Sequence, residues 1–301
     1  MPFTLNVYLP SLKREVQIKE LCYRQYRELV KSLYSTNKKE TIQQYNSILS
    51  DLCADIKSLN ITFEDKLALL LTVRNYCVSP DLKLKGTTTD GNVFNFNVTV
   101  ESLIQLTKTL DKSGIVEENG VRVEYSSYKV RDEHVFIGNN KDIFVKLASY
   151  IDYIAYDSTK LDFKDLTMEE RLKVVNGLPH FIFNKIHESI LDAEYRLAKL
   201  PFLAVVNPMT DETVLTITRN IDFESMQKLI EFAFTEELNN IYRAFYNMVK
   251  YAGYSAEYID SITPVEMQVY WMYYNQDLEA SKNNTQSNGA LPSALNTELG
   301  F

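Results

Sequence analysis

The sequence predicts a predominantly helical α+β fold with three or four short antiparallel β-hairpins inserted between helices. Three observations predict it. Long stretches repeat apolar residues at three- and four-residue steps, the period of a helix covered on one side. Short alternating runs come in pairs joined by turn residues, as in hairpins with one buried face. Only nine glycines occur in 301 residues, which suits long uninterrupted helices. Hydrophobic residues make up 45% and charged residues 24%, an ordinary globular balance. At about 150 residues per domain, the chain can bury one large core or two modest ones.

The first hairpin pairs 3–9 with 15–18, its Leu5, Val7 and Leu9 on one face and its turn opened by Pro10-Ser11. Helices then read over 21–33, through Cys22, Tyr26, Leu29, Val30 and Leu33, and past a polar break at 37–40 through Ile42, Tyr45, Ile48, Leu49, Leu52 and Ile56. Residues 62–110 organise the rest as helix, tight hairpin, helix. Thr62 with Asp65 three positions on is close to a capping box. Phe63, Leu67, Leu70, Leu71 and Arg74 follow at helical spacing, and Pro80 stops the run. Strands read at 82–85 and 93–100, closed by Asp90-Gly91, where glycine takes the positive φ of a hairpin turn. A second amphipathic segment covers 101–110, and Gly114 ends it.

A further strand pair reads at 121–130 and 134–137. Asn139 or Asn140 then caps a helix over 143–156 with a stripe of Phe144, Leu147, Ile151 and Ile154. Thr167 with Glu170 is a full capping box and opens a short helix that closes at Gly177. Pro179 suits the start of the next, which runs to about 200. A last hairpin joins 202–206 to 213–218 around Asn207-Pro208. Asp222 caps a long helix to about 252, stopped by Gly253. Thr263-Pro264-Val265-Glu266 places a cap, a first-turn proline and an acid in the order that opens a helix. In Val269-Tyr270-Trp271-Met272-Tyr273-Tyr274 no polar side is left, so that helix is buried all round or covered by a partner. The body is expected over 3–280 as a single compact unit, of one lobe or two, with hairpin–helix units around 62–112 and 201–253. Residues 281–301, rich in Ser, Asn, Gln, Gly and Pro, read as a flexible low-complexity tail.

The net charge of −8 argues against nucleic acid as a partner. The distribution is uneven. Residues 1–45 carry eight bases and four acids, net +4, so the remainder carries −12. Twenty tyrosines and fifteen phenylalanines fill a core or face a partner. No apolar run reaches the ~20 residues of a membrane helix. Cys22, Cys53 and Cys77 are too far apart for a framework and read as reduced, buried thiols. His180 and His187 stand seven apart, too wide for one ion on a single helix, and His134 is alone. No phosphate-cradling glycine loop or Gly-x-Ser-x-Gly occurs, and Glu169-Glu170 and Glu236-Glu237 read as solvated carboxylates. No catalytic residue, metal or cofactor is expected. Lys66 and Arg74 are polar on a strongly apolar helix; the Arg74 stem is expected to pack on the core with its head on water or a carboxylate.

Several motifs stand in one order: Leu9-Pro10-Ser11 before a basic helix; Glu64-Asp65-Lys66-x-x-Leu69-Leu70-Leu71-x-x-Arg74 before a hairpin; Thr167-x-x-Glu170; the 202–218 hairpin leading into 222–234; and Thr263-Pro264-x-Glu266. Together, over about 3–280, they resemble the baseplate hub and hub-assembly proteins of T-even-like contractile-tailed bacteriophages. Some members of that family carry cysteine pairs in the two hairpins, like zinc knuckles. Here the turns read Thr88-Thr89-Asp90-Gly91 and Pro208-Met209-Thr210-Asp211, so backbone turn chemistry must hold them. The resemblance implies a non-enzymatic structural protein that joins the baseplate hub through contacts with other hub and tail proteins. It implies no nucleic acid, membrane or small-molecule substrate as partner. The chain would be made in the host bacterial cytoplasm and reside in the virion tail, or act as an assembly chaperone absent from the mature virion. Candidate interface residues are the anchors Tyr270, Trp271 and Tyr274, with Arg24, Arg27 and Lys31 of the basic helix steering the approach.

Overall fold

Helix α3, Phe63–Val73, is buried on every side. The computed structural model describes residues 4–53, 60–87, 91, 93–137, 142–207, 210–211, 213–234 and 236–287. Among these the fold is α+β and predominantly helical, with three two-stranded hairpins and one four-stranded antiparallel sheet. Strands β1 (Thr4–Leu9) and β2 (Arg14–Lys19) pair with Val7 opposite Val16 and turn their buried side chains toward α3. Helices α1 (Tyr23–Leu33) and α2 (Lys38–Leu52) pack on each other. Thr62 caps α3 in a reciprocal box: Asp65 N–H donates to Thr62 Oγ1 at 3.3 Å, and Thr62 N–H donates to Asp65 Oδ2 at 2.9 Å. The helix widens into a π-turn at Arg74–Val78 before the hairpin β3 (Asp81–Thr87) and β4 (Val93–Thr99). Gly91 takes φ +82 in its turn; Asp90 lies outside the described residues. Helix α4 (Val100–Thr107) follows directly.

Polar side chains on a fully buried helix need partners, because a lone buried charge is costly. Each has one. Lys66 Nζ meets Glu133 at 2.6 and 2.8 Å, with Asn46 Nδ2 donating to the same carboxylate at 3.3 Å. Glu64 accepts from Ser127 Oγ at 2.8 Å and pairs with Lys112 at 3.3 Å. Asp65 also accepts from Ser11 N–H at 3.0 Å. Arg171 grips Asp132 through two 2.6 Å contacts, the bidentate geometry that arginine favours. All of these carboxylates except Glu64 and Asp65 come from the 3₁₀ segment Val130–Phe136. Arg74 is buried as well, but its Nη2 donates to the Asp81 carbonyl at 3.3 Å instead of reaching water or a carboxylate. Burial pulls its guanidinium below the ordinary value.

Two apolar cores result. The larger surrounds α3; the smaller packs Val123, Leu147, Tyr150, Phe163, Ile182, Ile186 and Ile190. Tyr128 touches both, lying edge-on to Phe136 and Tyr150 at 4.4 and 4.6 Å between centroids.

The middle of the chain departs from expectation. The partner of β6 (Val121–Tyr125) is β5 (Gly114–Glu118), joined by Asn119-Gly120 with φ +49 and +77, and not residues 134–137, which form part of the 3₁₀ turn. An Asn-Gly turn suits a two-residue hairpin because both residues tolerate positive φ. Gly114 therefore opens a strand and does not close a helix. A Cβ there would overlap the Tyr125 hydroxyl. The expected helix over 143–156 is α5 (Ile143–Tyr150) followed at once by β7 (Ile151–Tyr156), which pairs with β6 and with β8 (Thr159–Asp162). Isoleucine and tyrosine dominate β7, and such residues fill a pleated surface well. Asp142 caps α5 by accepting from Phe144 N–H at 2.8 Å; Asn139 and Asn140 lie outside the described residues.

Past the expected capping box of Thr167 with Glu170, α6 (Met168–Asn176) and α7 (His180–Ala198) lead to the hairpin β9 (Pro201–Val206) and β10 (Thr213–Thr218). Pro208 of its turn lies outside the described residues. The long helix expected from 222 is two, α8 (Phe223–Ala233) and α9 (Leu238–Lys250), with the buried Phe234 leaving helical geometry at the end of the first. After α10 (Ala256–Ser261), the last helix, α11, runs Pro264–Ser287. It thus extends into the first residues of the expected flexible tail; 288–301 lie outside the described residues.

Candidate protein interface

Helix α11 starts where its sequence demands. Thr263 N–H and Oγ1 donate to Glu266 at 2.7 and 2.9 Å, and Glu266 N–H returns to Thr263 Oγ1 at 3.3 Å. Pro264 occupies the first turn, where no N–H is needed. At 3.6 residues per turn, its apolar run divides between two opposite sides. Met267 is buried, and Tyr270, Trp271 and Tyr274 are half-buried and packed against the larger core. Val265, Val269, Met272 and Tyr273 are 39%, 40%, 47% and 55% exposed. Among the described residues the helix is covered along one side only, so burial all round, the first of the two expected alternatives, does not hold.

The inward rings are ordered by one another. Trp271 stacks on Tyr274 at 5.6 Å. Tyr254 stacks on Tyr258 at 5.7 Å and on Tyr270 at 5.6 Å. The Tyr258 and Tyr270 hydroxyls lie 3.0 Å apart, and that hydrogen bond lifts the Tyr270 phenol above its ordinary value. Trp271 also walls a cleft of about 160 Å³ with Tyr23, Tyr26, Ile241 and Met267.

The basic helix comes to the same place. Helix α1 packs on α9, α10 and α11, with Tyr23 N–H donating to the Ile262 carbonyl at 2.7 Å. Arg24 and Lys31 are exposed. Arg27 is not: its guanidinium pairs with Asp260 of α10 and lies 3.9 Å over the Phe245 ring of α9. It is a strut between α1 and the C-terminal helices. The structure therefore brings α1 onto the C-terminal helices, ties Arg27 to α9 and α10, and leaves Arg24 and Lys31 on the outside. Sequence reasoning passed over the outward stripe and the Tyr254–Tyr258 stack. The signal was there, in a second apolar series at 265, 269, 272 and 273 and in tyrosines four apart.

Among the described residues no three His, Cys, Asp or Glu side chains gather in a way that could hold a metal ion. Residues 88–90 and 208–209, in the turns that the family resemblance singles out, are outside that set. No helix among the described residues is long and apolar enough to cross a membrane.

A family model described as T4 bacteriophage base plate protein matches residues 1–223. The chain belongs to this family. No curated protein and no solved structure matches it. In this baseplate protein the matched span runs from β1 to the first residue of α8. Helices α9, α10 and α11, which carry the exposed stripe and the tyrosine stack, follow it.

Proposed function

We propose that this phage baseplate protein is a component of the baseplate hub and takes part in tail assembly by docking other hub and tail proteins, with no bond made or broken. Membership of the baseplate family supports the setting. The observation that carries the mode of action is a helix apolar on two opposite sides, only one of which the described residues cover. Exposed apolar and tyrosine side chains suit such a place, since tyrosine is among the residues that dominate binding hot spots. In this reading the open side of α11, with Tyr273, makes the contact and Tyr270, Trp271 and Tyr274 hold the helix from its covered side, while Arg24 and Lys31 steer an acidic partner onto α1 and Arg27 holds α1 against the C-terminal helices. The chain is made in the host bacterial cytoplasm and carried into the virion tail. No disulfide joins cysteines among the described residues, which accords with that compartment.

The test is capture of tagged chain from phage-infected cells with quantitative proteomics. Wild type should bring down hub proteins, and Met272→Gln with Tyr273→Ser should lose them while keeping its circular dichroism. Unchanged capture by that double variant would refute the open side of α11 as the contact. Recovery with assembly intermediates but not with finished particles would make the chain an assembly chaperone.

A further inference from the structure

We infer that the outer side of α11 receives an amphipathic helix of another protein whose polar margins carry lysine or arginine. This rests on the docking function proposed above and names the chemistry of the occupant.

The shape comes first. Val265, Val269, Met272 and Tyr273 are exposed at four- and three-residue steps along one side of α11. That spacing makes a ridge which a second helix covers with its own i, i+3, i+4 series.

The charge comes second. Residues 251–281 contain Glu257, Asp260, Glu266, Asp277 and Glu279 and no lysine or arginine. Asp260 is taken by Arg27 and Glu266 by the helix cap. Asp277 and Glu279 are exposed; helical geometry sets them on opposite margins of the stripe. The rings add to the field, because an aromatic face attracts a cation. The nearby cations already serve other rings: Arg27 lies over Phe245, and Lys250 over Tyr246 and Tyr251 at 5.1 and 5.4 Å. Among the described residues none lies over Tyr273, the ring of the stripe. A second copy of this chain would bring the same carboxylates against these, a repulsive pairing. A cationic helix complements them.

The experiment uses the full chain and two labelled synthetic peptides followed by fluorescence anisotropy. One is an amphipathic helix of leucine with lysine and arginine; the other replaces the bases with glutamate. The cationic peptide should bind, weaken as salt rises, and lose at least about tenfold in affinity to the triple variant Val269→Thr, Met272→Gln, Tyr273→Ser. That variant changes no charge and should keep the far-ultraviolet spectrum. Failure of the cationic peptide to bind, equal binding by the variant, or equal binding of the glutamate peptide would overturn the inference. So would a wild-type dimer that the triple variant dissolves, since a second copy would then be the occupant. The docking function itself fails on a different result, absence of the chain from baseplate assemblies.

Discussion

Lys66 and Glu133 meet at 2.6 Å with both side chains fully buried, one on the central helix and the other on the 3₁₀ segment that leads toward the smaller core. Removing one partner leaves an uncompensated charge, at a cost of about 3–5 kcal/mol. Lys66→Met or Glu133→Gln should therefore lower the denaturant midpoint sharply. The pair Lys66→Met with Glu133→Leu should recover much of that loss. Equal destabilisation by singles and double would mean that the ion pair is not what joins these elements.

Gly114 stands against a ring. Tyr125 is buried, its hydroxyl 2.5 Å from Ser189 Oγ, and a Cβ on residue 114 would overlap it. Gly114→Ala should cost about 1–3 kcal/mol through forced displacement of a packed ring. Thermal unfolding measures it. An unchanged melting temperature would show that the ring moves aside freely.

The basic helix should separate into two roles. Arg27→Ala removes a partly buried ion pair and a cation–π contact and should cost about 1–2 kcal/mol, read as faster proteolysis of 236–287. Arg24→Ala and Lys31→Ala should leave stability within about 0.5 kcal/mol and slow association with an acidic partner. Equal protease sensitivity in all three would contradict the strut.

The thiols should react unequally. Cys53 and Cys77 are buried, Cys22 is half-exposed, and burial pushes the Cys77 thiol up to about 11. Since the thiolate is the reactive form, iodoacetamide near pH 8 should label Cys22 first in the folded chain, as mass spectrometry would show. Labelling of Cys77 at the same rate would contradict its burial.

Much of this fold was legible where local chemistry decides it. The boxes of Thr62, Thr167 and Thr263 stand in the structure because each cap needs only residues three apart. The 143–156 region was misread because Phe144, Leu147, Ile151 and Ile154 keep helical spacing across a true boundary, and only strand pairing with Val121–Tyr125 settles where the helix ends. Asn119-Gly120 was a local signal that went unread. At the interface, the aromatic run of α11 was visible. Which of its two sides the chain covers was not, because packing of α11 against α1 and α9 decides that.

Quantitative proteomics of purified virions tests the central claim most directly. A hub component that works by docking should be present in the particle and co-fractionate with isolated baseplates. Its absence from washed particles, with the protein abundant in infected cells, would contradict that place in the hub.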